Sequence, residues 1–552
     1  MKRILTFLLF ACLLCMSIFA VTNDATLFWT DVEATPNHTA VSGYPRFAQR
    51  ADGVVLMTTD SGHISYSTNK GATWTKVSQA LTKNAASQKT TDTTTHSLSR
   101  ANFQPFVLPD GTVLLAYRSH TRGYAGNGNE FYTSIRVMTS TDGGMTFSGE
   151  QILVEDTALR EDGFWEPFMI MLDDDTVAMY YADDLNVDST AKQRIAFLTY
   201  KISTKTWSTE PQVAINRSRM STRDGMPTVT ALKDGGFAMV TESQDYAEWI
   251  GFNKLFGIHC TFVIGLSLSA DGYTWSDPVP VLAPADLTSR TVCAAPSIAT
   301  LPDGRVIITC QTDSAYSGYE VPSDTYMRGM GVAISDAPLT VDTELTATTG
   351  GAAKGFTVLE GVFPLVENCS QIWNTVSCFS NDVYLAGTSS INAEDGTRSG
   401  ACIRVRHALA FANSTDAAMY FDVAARTGTF AVCDGVSENG VVTLTVPAAV
   451  SGELLVYRMK NGFLTKMKAT VDGDTVTVVS EDTGLYAIVN KDIVSLGDAD
   501  GSGVHSLLDV LRTVRHVISH NEEIDLSAAD MNGDTVLTVQ DALLNLKTLI
   551  NK

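Results

Sequence analysis

The stretch Glu166-Pro167-Phe168-Met169-Ile170-Met171-Leu172, then Asp173-Asp174-Asp175, then Thr176-Val177-Ala178-Met179-Tyr180-Tyr181-Ala182-Asp183 reads as two short apolar strands around a turn. The same phrase runs from Tyr44-Pro45-Arg46 to Asp60, Gln104-Pro105 to His120, Met226-Pro227 to Gln244, Ala295-Pro296 to Asp313, and Trp373-Asn374 to Ser390. Turns such as Ala51-Asp52-Gly53, Pro109-Asp110-Gly111, Lys233-Asp234-Gly235 and Pro302-Asp303-Gly304 supply the positive-φ positions of a hairpin. Successive prolines lie roughly 60 to 70 residues apart, which is too long for a solenoid turn and suits a four-stranded propeller blade. Six copies predict six blades of an all-β protein.

A second repeat falls between copies of the first. Ser140, Asp142, Gly144, Thr146 and Phe147 form a Ser-x-Asp-x-Gly-x-Thr-aromatic turn, and Ser67, Asn69, Gly71, Thr73 and Trp74 form another; shorter versions end at Thr274-Trp275 and Thr206-Trp207. Ser, Asp and Gly favour turns everywhere, but this spacing resembles the Asp-boxes of sialidase-like propellers, which tie together the two outer strands of a blade. Their reading is structural.

The chain opens with Lys2 and Arg3, runs apolar from Ile4 to Phe19 and reaches Ala20 before Thr22-Asn23-Asp24. Residues 1–20 therefore read as a secretory leader, too short to anchor, so a secreted product with no membrane attachment after cleavage is expected. A net charge of −22 makes nucleic acid an unsuitable partner. Outside the leader the cysteines are Cys260, Cys293, Cys310, Cys369, Cys378, Cys402 and Cys433. Their spacing is not that of a metal site; most are read as buried apolar residues, with one or two disulfides permitted outside the cell.

The expected organisation is a propeller over residues 25–412, a small β-sandwich-like module over 415–490, and a small α-helical calcium-binding module over 493–552. In the last, Asp498, Asp500, Ser502, Ser506 and Asp509 fill positions 1, 3, 5, 9 and 12 of a calcium loop, with Gly503 at position 6. Asp530, Asn532, Asp534, Thr538 and Asp541 repeat the pattern, and each loop leads into an apolar helical stretch, Val510 to Ile518 and Ala542 to Ile550. Oxygen ligands at these spacings wrap one hard cation. Two such half-EF-hands resemble a type I dockerin, which implies a calcium-dependent fold that docks onto a cohesin of a scaffoldin in a cellulosome-like complex. Thr535 replaces the turn glycine of the second loop, so that site is expected to hold Ca2+ more weakly. Leu507-Leu508 and Val539-Gln540 are the expected cohesin-reading positions.

Because the two strands of each copy are antiparallel, the residue starting the first and the residue ending the second lie on one rim. Arg46, Gln104, Arg118, His120, Glu166, Asp183, Asp184, Glu242, Gln244, Gln311 and Asp313 are so placed. Glu166, between Trp165 and Pro167, has an aromatic neighbour suited to raising its pKa, and Glu242 ends the next copy. Paired carboxylates on adjacent blades suit cleavage of a glycosidic bond.

The runs Phe164-Trp165-Glu166-Pro167-Phe168, Met179-Tyr180-Tyr181-Ala182-Asp183-Asp184, Gln193-Arg194-Ile195, Arg223-Asp224-Gly225-Met226-Pro227 and Val240-Thr241-Glu242-Ser243 resemble family-93 glycoside hydrolases. So do Tyr44-Pro45-Arg46 and Ala116-Tyr117-Arg118-Ser119-His120. The resemblance, over residues 40–400, implies a six-bladed sialidase-like propeller with exo-α-1,5-L-arabinanase activity on plant cell-wall arabinan. It implies a retaining mechanism with Glu166 as acid/base and Glu242 as nucleophile, no catalytic cofactor, and substrate contacts from Arg46, Arg118, His120, Asp183, Gln193 and Arg223. The fifth and sixth copies resemble the family less closely; there Gln311 and Trp373 are read as substrate contacts, the Trp373 indole offering a flat apolar surface for a sugar ring, with a core position as the other reading of Trp373. An exo-α-sialidase is the alternative, with Arg46 and Arg118 joined by Arg223, Arg290, Arg328 or Arg404 around a sugar carboxylate. A non-catalytic carbohydrate-binding propeller is the second alternative.

Overall fold

The computed structural model describes residues 27–29, 43–60, 62–68, 71, 73–77, 88–90, 95–121, 132–156, 163–185, 193–217, 223–244, 262–283, 293–312, 329–348, 350–358, 372–380, 382–391, 398–410, 429–433, 441–445, 454–460, 463–467, 469–472, 475–479, 484–490, 499, 507–519, 529, 531 and 537–550. The chain divides into two compact units, Glu33–His407 and Met1–Val32 with Ala408–Lys552.

The larger unit is a propeller-like succession of antiparallel sheets. Each begins with a hairpin that coincides with a copy of the repeated phrase: Arg46–Gln49 with Val55–Thr58, Thr95–Val107 with Val113–Thr121, Phe164–Asp173 with Thr176–Asp183, Arg223–Ala231 with Phe237–Gln244, Cys293–Thr300 with Val306–Thr312, and Ile372–Phe379 with Asp382–Ile391. Each second strand carries an apolar run whose two faces are both covered. Side chains alternate across a strand. Leu56 therefore packs against Val113, Leu115 and Tyr117 of the second hairpin, while Val55 and Met57 pack against Tyr384 and Ala386 of the sixth. Leu114 and Ala116 join Val177, Met179 and Tyr181; Ala178, Tyr180 and Ala182 join Val229 and Met239; Ala238 and Val240 join Val306 and Ile308. Ser297 hydrogen-bonds the backbone of Val376, linking the fifth hairpin to the sixth. Each hairpin thus packs on the next and the last on the first.

The Asp-box turns hold the outer strands. Ser140 Oγ accepts the Gly144 N–H at 2.9 Å, and Asp142 accepts the N–H of Thr146 at 2.8 Å and its hydroxyl at 2.6 Å. These bonds, led by the Thr146 hydroxyl, hold the Asp142 pKa down at about 2. Asp271 accepts the N–H groups of Tyr273 and Thr274 in the same way.

In the other unit, the strand Leu27–Trp29 pairs antiparallel with Ala408–Ala410, the end of the strand Arg398–Ala410, and parallel with Phe463–Thr465. Within residues 415–490, Thr429–Cys433, Leu454–Lys460, Phe463–Met467 and Gly484–Asn490 lie in one sheet, and Val441–Thr445, Ala469–Asp472 and Thr475–Val479 form a three-stranded one. Helices α1 (Leu507–Ser519) and α2 (Val539–Ile550) follow and pack on each other. Both begin at position 10 of their loops, three residues before the predicted starts. Among the described residues, no helix is long and apolar enough to cross a membrane.

Candidate active site

Each of the six hairpins carries a two-residue bulge near the start of its first strand, and the first bulged residue has a left-handed backbone. These residues are Tyr44 (φ 65°), Asn102 (φ 55°), Glu166 (φ 37°), Met226 (φ 48°), Ala295 (φ 48°) and Trp373 (φ 51°). Side chains other than glycine avoid this region, and a bulge re-aims the side chain it carries. Tyr44, Met226 and Ala295, from three different hairpins, pack together in one buried cluster. Three of the bulges therefore deliver their side chains to a common centre, and Glu166 lies near enough to Tyr44 to act on its phenol. Four of the six spell X-Pro in the sequence, which is why the repeat was visible. In the second hairpin the register jump lies between Ala101 and Gln104, so Asn102-Phe103, not Gln104-Pro105, is the equivalent pair.

The residue facing each bulge's start on the second strand forms a second ring. Arg118 pairs with Ala101, Glu242 with Gly225 and Gln311 with Ala294; the Asp60 N–H bonds the Gly43 carbonyl at the matching place. Three of these side chains reach across to the bulge of the next hairpin. Asp60 accepts the N–H of Asn102 at 2.5 Å, Glu242 Oε2 that of Ala295 at 2.7 Å, and Gln311 Oε1 that of Trp373 at 3.0 Å. Glu242 is thus a buried carboxylate with one oxygen fixed by a backbone donor.

Glu166 lies close enough to feel the charges of Arg118, Glu242, Arg223 and Asp184. Loss of hydration pushes its pKa up to about 7; Arg118 opposes this and Glu242 reinforces it. The Tyr44 phenol, buried beside Arg46, Glu166, Asp60 and Arg118, has its pKa raised, chiefly by burial.

The remaining expected contacts divide into two groups. Arg118 lies over the Trp165 ring at 4.6 Å, Trp165 donates its indole N–H to Asp184 at 2.8 Å, and Arg223 acts on Glu166. Gln193 is 1 % exposed, bridges to Arg223 along the backbone, and lies over Gly225, where a Cβ would fall 2.5 Å from its Oε1. Both polar atoms of the Gln193 amide lack a hydrogen-bond partner among the described residues. Trp373 is 38 % exposed, with its indole over Gly43.

The second group is turned inward. Arg46 is 2 % exposed, donates to the Pro45 carbonyl at 2.7 Å and lies over the Tyr44 ring at 3.8 Å. His120 is buried between Arg118, which approaches its Nδ1 at 3.4 Å, and the Phe164 carbonyl, 2.9 Å from Nε2. Burial and then Arg118 lower its pKa to about 3. Asp183 is fully buried and accepts two bonds from Arg194 and the N–H of Leu185. Its neighbour Asp184 acts on Glu166 through its charge. Asp313, Arg290 and Arg328 lie outside the described residues, as do the side chains of Gln244 and Arg404.

Tyr44 and Asp60 did not enter the expected site. Tyr44 occupies the X of its X-Pro pair as Glu166 does, and that equivalence was the available signal.

Of the calcium-loop residues, Asp498, Asp500, Ser502, Ser506, Asp530, Asn532 and Asp534 lie outside the described residues. Asp509 and Asp541 are fully buried at the third residue of α1 and α2. Asp541 accepts the N–H groups of Met531 and Thr538 and the Thr538 hydroxyl, so position 12 closes back onto position 2. Buried carboxylates at these positions fit a hard cation held by oxygen.

No protein-family model matches the chain, and no curated protein does. Solved structures that it resembles include a GH93 α-L-arabinofuranosidase of Fusarium graminearum in complex with arabinobiose, at 17 % identity over 69 % of this chain and 97 % of that one, with a TM-score of 0.45. An α-L-arabinanase of Penicillium chrysogenum complexed with arabinobiose is 16 % identical over 69 % and 97 %, with a TM-score of 0.41. The intramolecular trans-sialidase of Ruminococcus gnavus is 11 % identical over 70 % and 98 %, with a TM-score of 0.40.

Proposed function

We propose that the chain is a six-bladed glycoside hydrolase in which Glu166 and Glu242 cleave an α-L-arabinan from its end by a retaining route. The observation that carries this reading is the contrast between the two carboxylates. Glu166 is held protonated up to about pH 7 within the field of Glu242, and Glu242 is fixed by the Ala295 N–H.

In the first step the Glu242 carboxylate attacks the anomeric carbon while Glu166 gives its proton to the departing glycosidic oxygen. The product is a glycosyl ester on Glu242 and a shortened arabinan. In the second step Glu166, now ionised, takes a proton from water; the water oxygen bonds to the anomeric carbon and Glu242 departs as carboxylate. Arg118 and Arg223 offset the negative charge on Glu166 between the steps. Trp373 offers a partly exposed indole as a flat apolar surface for a sugar ring, and the Gln193 amide supplies a donor and an acceptor for a hydroxyl.

The sialidase alternative needs guanidinium groups free to grip a carboxylate, and Arg46 is enclosed against Tyr44. Linear α-1,5-arabinan and a sialoside separate the readings: release of arabinose oligomers supports the first, free sialic acid the second, and binding without turnover the non-catalytic propeller.

We further propose secretion through the leader and attachment through a calcium-loaded dockerin to a cohesin. Buried Asp509 and Asp541 support the cation, and Leu507 and Val539, 56 % and 51 % exposed at equivalent helix positions, support the docking face. Cohesin capture that persists in excess chelator would count against this.

A further inference from the structure

Cys293 and Cys310 lie on the paired strands of the fifth hairpin. Cys293 is opposite Thr312, with its Sγ 3.8 Å from the Thr312 hydroxyl, and Cys310 precedes Thr312 by two residues. Alternation along the strand puts Cys310 and Thr312 on the same face, and both cysteines belong to one buried core cluster. The two thiols are close enough that Cys293, together with burial, raises the Cys310 pKa well above the usual range. The bulge at Ala295-Pro296 interrupts the register between them and tightens the local twist. Cys378, the third described cysteine with a placed side chain, lies on a different hairpin.

We propose that Cys293 and Cys310 are joined by a disulfide in the mature protein. A low-molecular-weight disulfide is the oxidant. One cysteine, as thiolate, attacks it and releases a thiolate; the second cysteine then attacks the mixed disulfide and releases the other. Two protein thiols lose two protons and two electrons, and the oxidant is reduced to two thiols. Because a buried thiol is a poor nucleophile, the bond forms while the hairpin is still open during folding.

The bond ties the two strands where they hold their neighbours. Ala295, two residues from Cys293, donates its N–H to Glu242, and Gln311, next to Cys310, accepts that of Trp373. A cross-link here fixes the donor that orients the Glu242 carboxylate, and it does so whether or not Glu242 is a nucleophile.

Peptide mapping without reductant tests this on full-length protein refolded in a mixture of reduced and oxidised glutathione. The expected result is a linked pair containing Cys293 and Cys310, lighter by two hydrogen atoms than the separate peptides and split by reductant. Alkylation of both residues in denaturant without prior reduction would overturn the proposal, as would linkage of either to another cysteine. As a second reading, reductant lowers the unfolding temperature of the wild type and leaves that of a Cys293→Ala, Cys310→Ala variant unchanged. An equal drop in both would contradict the bond.

Discussion

Glu166 occupies a backbone region that residues other than glycine rarely adopt, with φ at 37°. Its conformation aims a carboxyl into a site where Arg118, Arg223, Glu242 and Asp184 all act on it. Its folded pKa of about 7 stands above the ordinary 4.5. The folded chain therefore binds this proton more tightly than the unfolded chain, and stability from this group falls as pH rises from about 4.5 to about 7. Glu166→Gln is expected to be more stable than wild type at pH 8 by roughly 1–2 kcal/mol, allowing for screening, with the gain gone below pH 4. Urea titrations at the two pH values check this. In wild type, turnover is expected to fall as pH rises through about 7, the value at which Glu166 loses its proton, and His120, neutral above about 3, adds no limb of its own near pH 6. Gly225 is the other sensitive position. A methyl group there meets Gln193 Oε1 at 2.5 Å, beside Glu242; Gly225→Ala is expected to cost about 1–3 kcal/mol of stability by overpacking and to weaken substrate binding, seen as a raised KM.

At the scale of the element, the bulged hairpin is the unit that turns a repeat into a site. It brings a left-handed residue to the centre and lets the following strand end on a side chain that bonds the next bulge. Asp60→Ala removes the acceptor from the buried Asn102 N–H, and an unpaired buried donor costs about 1–3 kcal/mol. The loss is measurable as a lower denaturation midpoint with glycosidase chemistry still present. Much of this was legible in the sequence. The apolar runs betray strands covered on both faces, and the X-Pro pairs mark four of the six bulges. The second hairpin misled because Pro105 sits within the strand, while its bulge, Asn102-Phe103, has no proline. Arg46, His120 and Asp183 were legible as residues near the rim but not as inward-facing ones. Which way a side chain turns depends on its packed neighbours: the Tyr44 ring two residues away for Arg46, Phe164 of the next hairpin for His120, and Arg194 on the paired strand for Asp183.

At the scale of the whole molecule, packing runs from each described hairpin of the larger unit to the next, with Ser297 bonding Val376 between the fifth and sixth. The centre of this unit is lined by residues far apart in sequence, which is why spacing alone located the copies but not the contacts across them. The helical pair depends on a different force. Asp509 and Asp541 are buried, and under the proposed calcium-loaded module, stripping the cation would leave these carboxylates without a counter-charge. Excess chelator is therefore expected to melt α1 and α2, seen as lost helical circular dichroism that calcium restores, while the β signal persists; unchanged helicity would argue against a calcium-held module. The central claim, that Glu166 and Glu242 work as one catalytic pair, is tested most directly by the products released from linear α-1,5-arabinan by wild type, Glu166→Gln and Glu242→Gln. Wild type is expected to release short arabinose products, with each variant slower by about 10²–10⁴-fold. Turnover in either variant at close to the wild-type rate would contradict it.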